Sequence, residues 1–292
     1  MIQPKIDNIE SKLSFVKSTF DTLRIISKIR NILVPVSKYI SVSMVESVQA
    51  KSNASIEKAF LTKKEHLNGL PDGNIIIINE ALIPRYPYAY LRLTAPVFGD
   101  IENAEPNVLQ NSIIITRNGC AFLVEKDSLI VSENMDEYLV LNVNCPQELT
   151  NKFTSYLVMY LKSTFLLWFV LSATESFNIF VSIALRKVRI PNFNFKNNQF
   201  SSILDRIHDG VCTIINKEKI FLESVIIQDN ESKATEEFYK MAEDHNISVG
   251  KVFHDIDSEF YEQLHLKGDE IITMHIILKG AILYIQVEPP IS

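Results

Sequence analysis

The sequence predicts an α+β fold: a β-rich mixed domain flanked by long heptad-like helices, with a small C-terminal β-hairpin segment. Three observations carry this. Apolar residues near the start of the chain and again after residue 200 recur every three or four positions, the rhythm of a helix face. Between them, short apolar runs are separated by turn residues, the rhythm of strands. Of the 292 residues, 47% are hydrophobic and 22% charged, so the chain has the apolar mass for a sizeable core.

The first stripe is Ile6, Ile9, Leu13, Val16, Phe20 and Leu23, with Asp7, Glu10, Lys12, Lys17 and Asp21 on other faces. It predicts a helix that ends before Pro35 and lies on a partner helix. Ile75, Ile76, Ile77 and Ile78 form a continuous apolar run, expected as a buried strand. Residues 111–117 (NSIIITR) and 120–125 (CAFLVE) predict a hairpin joined at Asn118-Gly119, because both residues tolerate positive φ. Residues 129–132 and 138–143 add strands. An apolar helix is expected over about 150–173 and a second over about 176–186, with Pro191 closing the block.

The second stripe, Phe200, Leu204, Ile207, Val211, Ile214, Phe221 and Val225, predicts a long helix despite Gly210 inside it. It is either an ordinary core helix or one arm of a strut paired with the N-terminal helix. A polar helix is expected at about 233–245, a short one at 258–264, and a terminal hairpin of 271–278 and 281–287 over Lys279-Gly280.

Composition narrows the function. A net charge of −6 argues against a protein that grips nucleic acid by bulk electrostatics alone. Three cysteines without metal-type spacing exclude a disulfide scaffold and a cysteine-based zinc site, and fit a reducing cytoplasm. Eight glycines are too few for a glycine-rich nucleotide-binding fold. The opening residues lack the order of a signal peptide. The apolar segment 156–173 carries Lys162 at its middle, which costs about 2.5–3.5 kcal/mol at bilayer depth, so a buried core helix is expected rather than a membrane partner. No phosphate-binding loop, GxSxG elbow or HExxH motif occurs. Residues 254–257 (His-Asp-Ile-Asp) fit no metal-ligand spacing and are expected as surface polar residues. No cofactor, metal or catalytic residue is expected.

Residues 111–142 carry a strand, the Arg117-Asn118-Gly119 turn, a second strand, and Ser132-Glu133-Asn134 before a further strand. This order resembles the target-recognition domain of type I restriction–modification specificity subunits, and the related C-terminal domain of type IIG restriction–methylation enzymes. Residues 155–163 (SYLVMYLKS) resemble the "YLLxYLxS" helix of those domains, and 187–193 (KVRIPNF) their "IP" exit into a long helix. Residues 198–230 occupy the place of that spacer helix. Residues 257–271 (DSEFYEQLHLKGDEI) resemble the tail of the fused enzymes. The resemblance covers about 70–270; residues 33–70 match nothing in it.

It implies a division into an N-terminal helical arm (1–32), a DNA-reading domain (33–196), spacer helices (197–248) and a C-terminal helix with a hairpin tail (249–292). It also implies a non-catalytic cytoplasmic subunit that reads one half of a double-stranded DNA site and docks methyltransferase subunits. The chain has one such domain where full-length specificity subunits have two, so a bipartite target would need a second copy or another specificity chain. Residue types then suggest the contacts. Arg117 and Asn118, with Gly119, sit at a predicted hairpin tip, although Asn118-Gly119 also suits a turn and nothing more. Arg85, Tyr88 and Arg92 interleave basic and aromatic side chains, as a nucleic-acid face or as core tyrosines with rim arginines. Lys187 and Arg189 form a small basic cluster, which a helix C-terminus alone would also favour. Leu13, Val16, Phe20, Leu204, Ile207 and Val211 are the expected partner-helix interface. The other class of reading is a scaffold subunit of a defence complex without DNA readout.

Overall fold

A computed structural model describes residues 20–49, 75–78, 107–117, 119–125, 127–132, 137–174, 188–196, 198–226 and 231–286. Among them the fold is α+β. The strands are β1 (Leu33–Pro35), β2 (Ile40–Glu46), β3 (Val48–Gln49), β4 (Ile75–Ile78), β5 (Ser112–Ile115), β6 (Ala121–Val124), β7 (Leu129–Ser132), β8 (Glu137–Val143) and β9 (Arg189–Pro191). The helices are α1 (Phe20–Ile29), α2 (Thr150–Lys162), α3 (Thr164–Thr174), α4 (Asn198–Ile226), α5 (Glu231–Gln263) and α6 (Gly268–Gln286).

The central sheet is antiparallel in the order β2-β8-β5-β6. β5, β6 and β8 read as mostly apolar runs because both their faces are covered, whereas the edge strand β2 alternates polar and apolar residues and exposes residues 41–44. Ile113, Ile115, Ala121, Leu139 and Leu141 point into the main core, and the alternating Ile114, Phe122, Val124, Tyr138 and Val140 into a second, smaller one. A parallel three-stranded layer, β3-β7-β4, contributes Ile130 to the smaller core. The short pair β1–β9 joins Leu33 to Pro191, so chain segments far apart in sequence meet there.

The hairpin expected around Asn118-Gly119 is present as β5–β6, with Ile115 opposite Ala121. Its connection is longer than a two-residue turn. Thr116 N–H donates to the Cys120 carbonyl and Gly119 N–H to the Thr116 carbonyl, leaving residues 117–119 as the loop. Gly119 takes φ 83°, which a glycine adopts without steric cost. Asn118 lies outside the described residues.

The apolar stretch expected as one helix over 150–173 is two, α2 and α3, bent by 55°. Ser163 makes the break. Its backbone is extended (ψ 146°), its Oγ donates to the Tyr160 carbonyl at 2.7 Å, and it accepts the Leu166 N–H at 3.1 Å as the N-cap of α3. Asp257, from α5, accepts the Thr164 N–H at 3.2 Å and the Thr164 hydroxyl. Among the described residues no single helix is long and apolar enough to cross a membrane; the bent pair passes by length and composition only when its two halves are added. The helix expected at 176–186 lies outside the described residues.

Three further expectations are corrected. The terminal hairpin is helix α6: Met274 and Leu278 are buried while Ile272 and Ile276 are exposed, a period near four rather than two. Its isoleucines look like strand residues, but Asp269 and Glu270 in its first turn suit a helix N-terminus. The separate helices expected between 233 and 264 are one helix, α5. Among the described residues the two heptad-like stripes are not paired with each other: α4 packs on α5 and α2, and α1 packs on α6. Residues 1–19, with most of the first stripe, lie outside the described residues. Gly210, in the middle of α4, sits at the close approach to α5. A Cβ there would lie 2.8 Å from Ile256 Cδ1 and 3.2 Å from its Cγ1.

Two expectations follow. Gly210→Leu should destabilise the fold by about 1–3 kcal/mol through overpacking against Ile256, while Gly210→Ala stays near neutral because about 1 kcal/mol of helix propensity offsets the contact. Urea titrations compare the two.

Asp257 is half-buried, and burial raises its carboxyl from the ordinary range to about 6, against the opposing Thr164 hydroxyl, Thr164 N–H and His254. A folded pKa above the unfolded one favours folding below about pH 4 and loses that contribution as pH rises through about 6. Residual water contact makes about 3 kcal/mol an upper bound. Asp257→Asn, which keeps an oxygen for Thr164, should flatten the pH dependence of the urea midpoint between pH 4.5 and 7.5. Equal slopes in the two proteins would refute this role.

Candidate functional site

The hairpin tip is built by the register of the central sheet. β5 lies between β6 and β8, so the residue after β5 emerges beside the start of β8. Arg117 is there, with Nη2 2.8 Å from Glu137 Oε2; both side chains are exposed. Across the sheet Glu137 stands opposite Glu46 of β2. Two carboxylates directly opposed repel, and Arg117 lies against one of them. The tip is therefore a mixed-charge site rather than a basic patch. The exposed ion pair is worth about 0–1 kcal/mol, small enough for an anionic ligand to compete for the guanidinium.

Arg189, the second expected contact, is exposed on β9, and its carbonyl accepts the Tyr160 hydroxyl at 2.8 Å. That bond fixes the backbone of β9 to α2 and leaves the guanidinium outside. Lys187, Arg85, Tyr88 and Arg92 lie outside the described residues, as do Leu13 and Val16.

The residues expected to receive a partner helix separate into two sets. Leu204, Ile207 and Val211 are 0–1% exposed and belong to the main core. Their stripe is filled by the chain's own packing, since α2 and α5 cover α4. Phe20 is 80% exposed and Leu23 56%, because α1 buries its other side, Thr22, Ile25 and Ile29. Beside that buried side, Lys28 Nζ donates to Glu270 Oε2 at 2.6 Å and to the His265 carbonyl at 2.6 Å, tying α1 to the start of α6. Burial pushes the Glu270 carboxyl up, but Lys28 and the Lys267 N–H outweigh it and hold the group below its ordinary range.

Sequence reasoning missed the polar cluster around Asp257. Of residues 254–257, expected at the surface, His254 and Asp255 are exposed, whereas Asp257 caps α3, and Tyr261, one turn on, has its hydroxyl 3.2 Å from His275 Nε2 of α6. Burial pushes the Tyr261 phenol up and the His275 imidazole down, so both stay neutral near pH 7. The signal available in the sequence was the four-residue spacing of Asp257 and Tyr261, which puts both on one helix face. Among the described residues no three histidine, cysteine or carboxylate side chains converge to hold a metal ion.

Comparisons with protein-family models, with curated proteins and with solved structures find no match to this chain.

The two stripes should respond differently to truncation. Phe20→Ser with Leu23→Ser should change the chain's unfolding free energy by no more than about 0.5 kcal/mol. Leu204→Ala should cost about 2–5 kcal/mol. Urea denaturation at fixed protein concentration measures both, and a large loss from the Phe20/Leu23 pair would mean that the chain itself covers that face.

Proposed function

We propose that this chain is a non-catalytic DNA sequence-recognition subunit of a restriction–modification or related phage-defence system, acting in the cytoplasm. It reads one half-site through its β-rich part and docks methyltransferase subunits, and a second specificity chain, through helical surfaces. The observation that carries this reading is the order of elements. A hairpin with Arg117 at its tip is followed by a helix ending at Lys162, a short strand at Arg189–Pro191, and then helices of 29 and 33 residues. At 1.5 Å per residue those two helices span about 43 and 50 Å, a length suited to setting the distance between two DNA-reading domains. Phe20 and Leu23 supply exposed apolar surface for a partner.

The net charge shapes the mechanism. A −6 chain leaves most phosphate neutralisation to its partners and uses a few side chains for base contacts. Arg117 has the fork geometry for a guanine edge once it leaves Glu137. The scaffold reading, a subunit that assembles a defence complex without reading DNA, is favoured by that same ion pair: Arg117 beside Glu137 and Glu46 is a poor start for an anion site.

Opposite substitutions separate the two readings. In a complex assembled with its methyltransferase partner, Glu137→Gln should strengthen binding to the cognate duplex by removing the carboxylate charge that competes for Arg117. Arg117→Gln should weaken it about ten-fold or more. Fluorescence anisotropy at fixed salt measures both. If neither substitution changes DNA affinity or sequence preference while assembly is intact, the scaffold reading stands and DNA readout at this hairpin is refuted.

A further inference from the structure

Where α2 crosses α4, three side chains form a chain that the function above does not use. Ser155 Oγ, 2% exposed as a residue, lies 2.9 Å from His208 Nδ1. One helical turn further along α4, Cys212 Sγ lies 3.7 Å from His208 Nε2. Cys212 is exposed and His208 half-buried. The two ring nitrogens therefore face different worlds: a buried hydroxyl on one side and a solvent-accessible thiol on the other.

That division sets the chemistry. With Nδ1–H donated to the Ser155 hydroxyl, the Nε2 lone pair faces the thiol and accepts its proton. The product is an imidazolium whose two N–H groups are both engaged, one by Ser155 and one by the thiolate. A base held by a third group beside a nucleophile is the general arrangement of activated thiols. Among the described residues, the two helices that form the crossing place charged groups near it. The Lys152–Asp205 ion pair, 2.5 Å long, spans α2 and α4 one turn before the Ser155–His208 contact, and Asp209 is exposed next to His208.

The other two cysteines are internal controls. Cys120 is buried, and burial raises its thiol against the opposing Lys162 and Thr116. Cys145 is half-buried, and burial raises it too, with the Thr150 hydroxyl opposing and Glu148 adding.

We propose that Cys212 is an activated thiol, with His208 as its base and Ser155 as the positioning residue of the ring, and that it takes low-molecular-weight disulfides. In the step, the Cys212 proton passes to His208 Nε2 and the thiolate attacks one sulfur of the small disulfide. The Cys212–sulfur bond forms as the disulfide bond breaks, and the leaving thiolate takes the proton back from the imidazolium. Cys212 is oxidised to a mixed disulfide and half of the small disulfide is reduced to a thiol, so the exchange balances without another reagent.

The test uses the full chain and oxidised glutathione, with intact mass and peptide mapping to locate the adduct. Cys212 in the folded chain should react at pH 7 about five-fold faster than in the chain unfolded in urea; the gain in thiolate is partly offset by its lower intrinsic nucleophilicity. Cys120 and Cys145 should lag behind it. His208→Gln should remove that advantage and move the pH–rate curve of Cys212 to higher pH, with the two proteins converging in alkaline solution. Ser155→Ala should move the curve part of the way, which a purely structural role would not do. If Cys212 reacts no faster folded than unfolded, or if a folded His208→Gln protein keeps the original pH–rate curve, the proposal is overturned. Should His208→Gln fail to fold, the folded-against-unfolded comparison decides alone, with Cys212→Ser required to abolish the fast phase.

Discussion

The column of aromatic rings on α2 is the constraint on which the rest of this structure depends. Phe153, Tyr156 and Tyr160 recur at spacings of three and four and stack along one side of the helix, with neighbouring centroids 5.9 Å apart. Phe193, just after β9, meets Phe153 and Tyr156 edge-on, and Phe260 of α5 meets Tyr156 and Tyr160 the same way. All of these rings except Phe193 are at most 1% exposed. A helix so fully enclosed leaves no solvent for its phenols, and a buried hydroxyl without a partner costs about 1–3 kcal/mol. Each is answered: Tyr156 donates to Gln263 Oε1 at 2.6 Å and Tyr160 to the Arg189 carbonyl. Tyr39, at the sheet end of the cluster, donates to Asn192 and accepts the Phe193 N–H. These hydrogen bonds fix where β9 and the end of α5 sit against α2, which apolar contact alone would leave loose.

The same enclosure explains why so apolar a stretch suits a packed core. Lys162 ends α2 with its ammonium 5.8 Å from the centroid of the Phe122 ring, a cation on the face of an aromatic from the sheet. The chain then turns at Ser163, and Asp257 receives the N-terminus of α3. The bend puts α2 under the sheet and turns α3 towards α6, so one continuous apolar segment serves two packing surfaces. Asp257 carries this arrangement at some cost, since burial works against its charge.

Around that core, three exposed features among the described residues are chemically distinct. The hairpin tip carries Arg117 within a mixed-charge setting. Helix α1 presents Phe20 and Leu23, and the outer side of α4 presents the His208–Cys212 pair. None of these is the broad basic face by which a protein grips nucleic acid alone. That fits the proposed reading, in which affinity for DNA is shared with partners.

The sequence alone determined much of the local structure. Short apolar runs gave β4, β5, β6, β7 and β8 nearly to the residue, because strands this short need only a matched apolar stretch and a turn. Asn118-Gly119 located the hairpin, and the stripe from Phe200 to Val225 located α4, because periodicity is a property of the chain itself. The tertiary structure decided the rest. Residues 271–287 read as strands by their β-branched content, yet Met274 and Leu278 found burial against neighbouring helices at helical spacing, and packing overrode propensity. The break at Ser163 is made by its own hydroxyl and extended backbone, and it is held in place by a carboxylate 94 positions later in sequence that reaches its neighbour Thr164. Leu204, Ile207 and Val211 announced a buried face, but whether that face met this chain or another depended on α2 and α5 arriving first. Likewise Arg117, His208 and Cys212 are ordinary residues in the sequence. Their chemistry comes from Glu137 and Ser155, partners that only the fold brings within hydrogen-bonding distance, because side-chain electrostatics depends on separations that the order of residues does not encode.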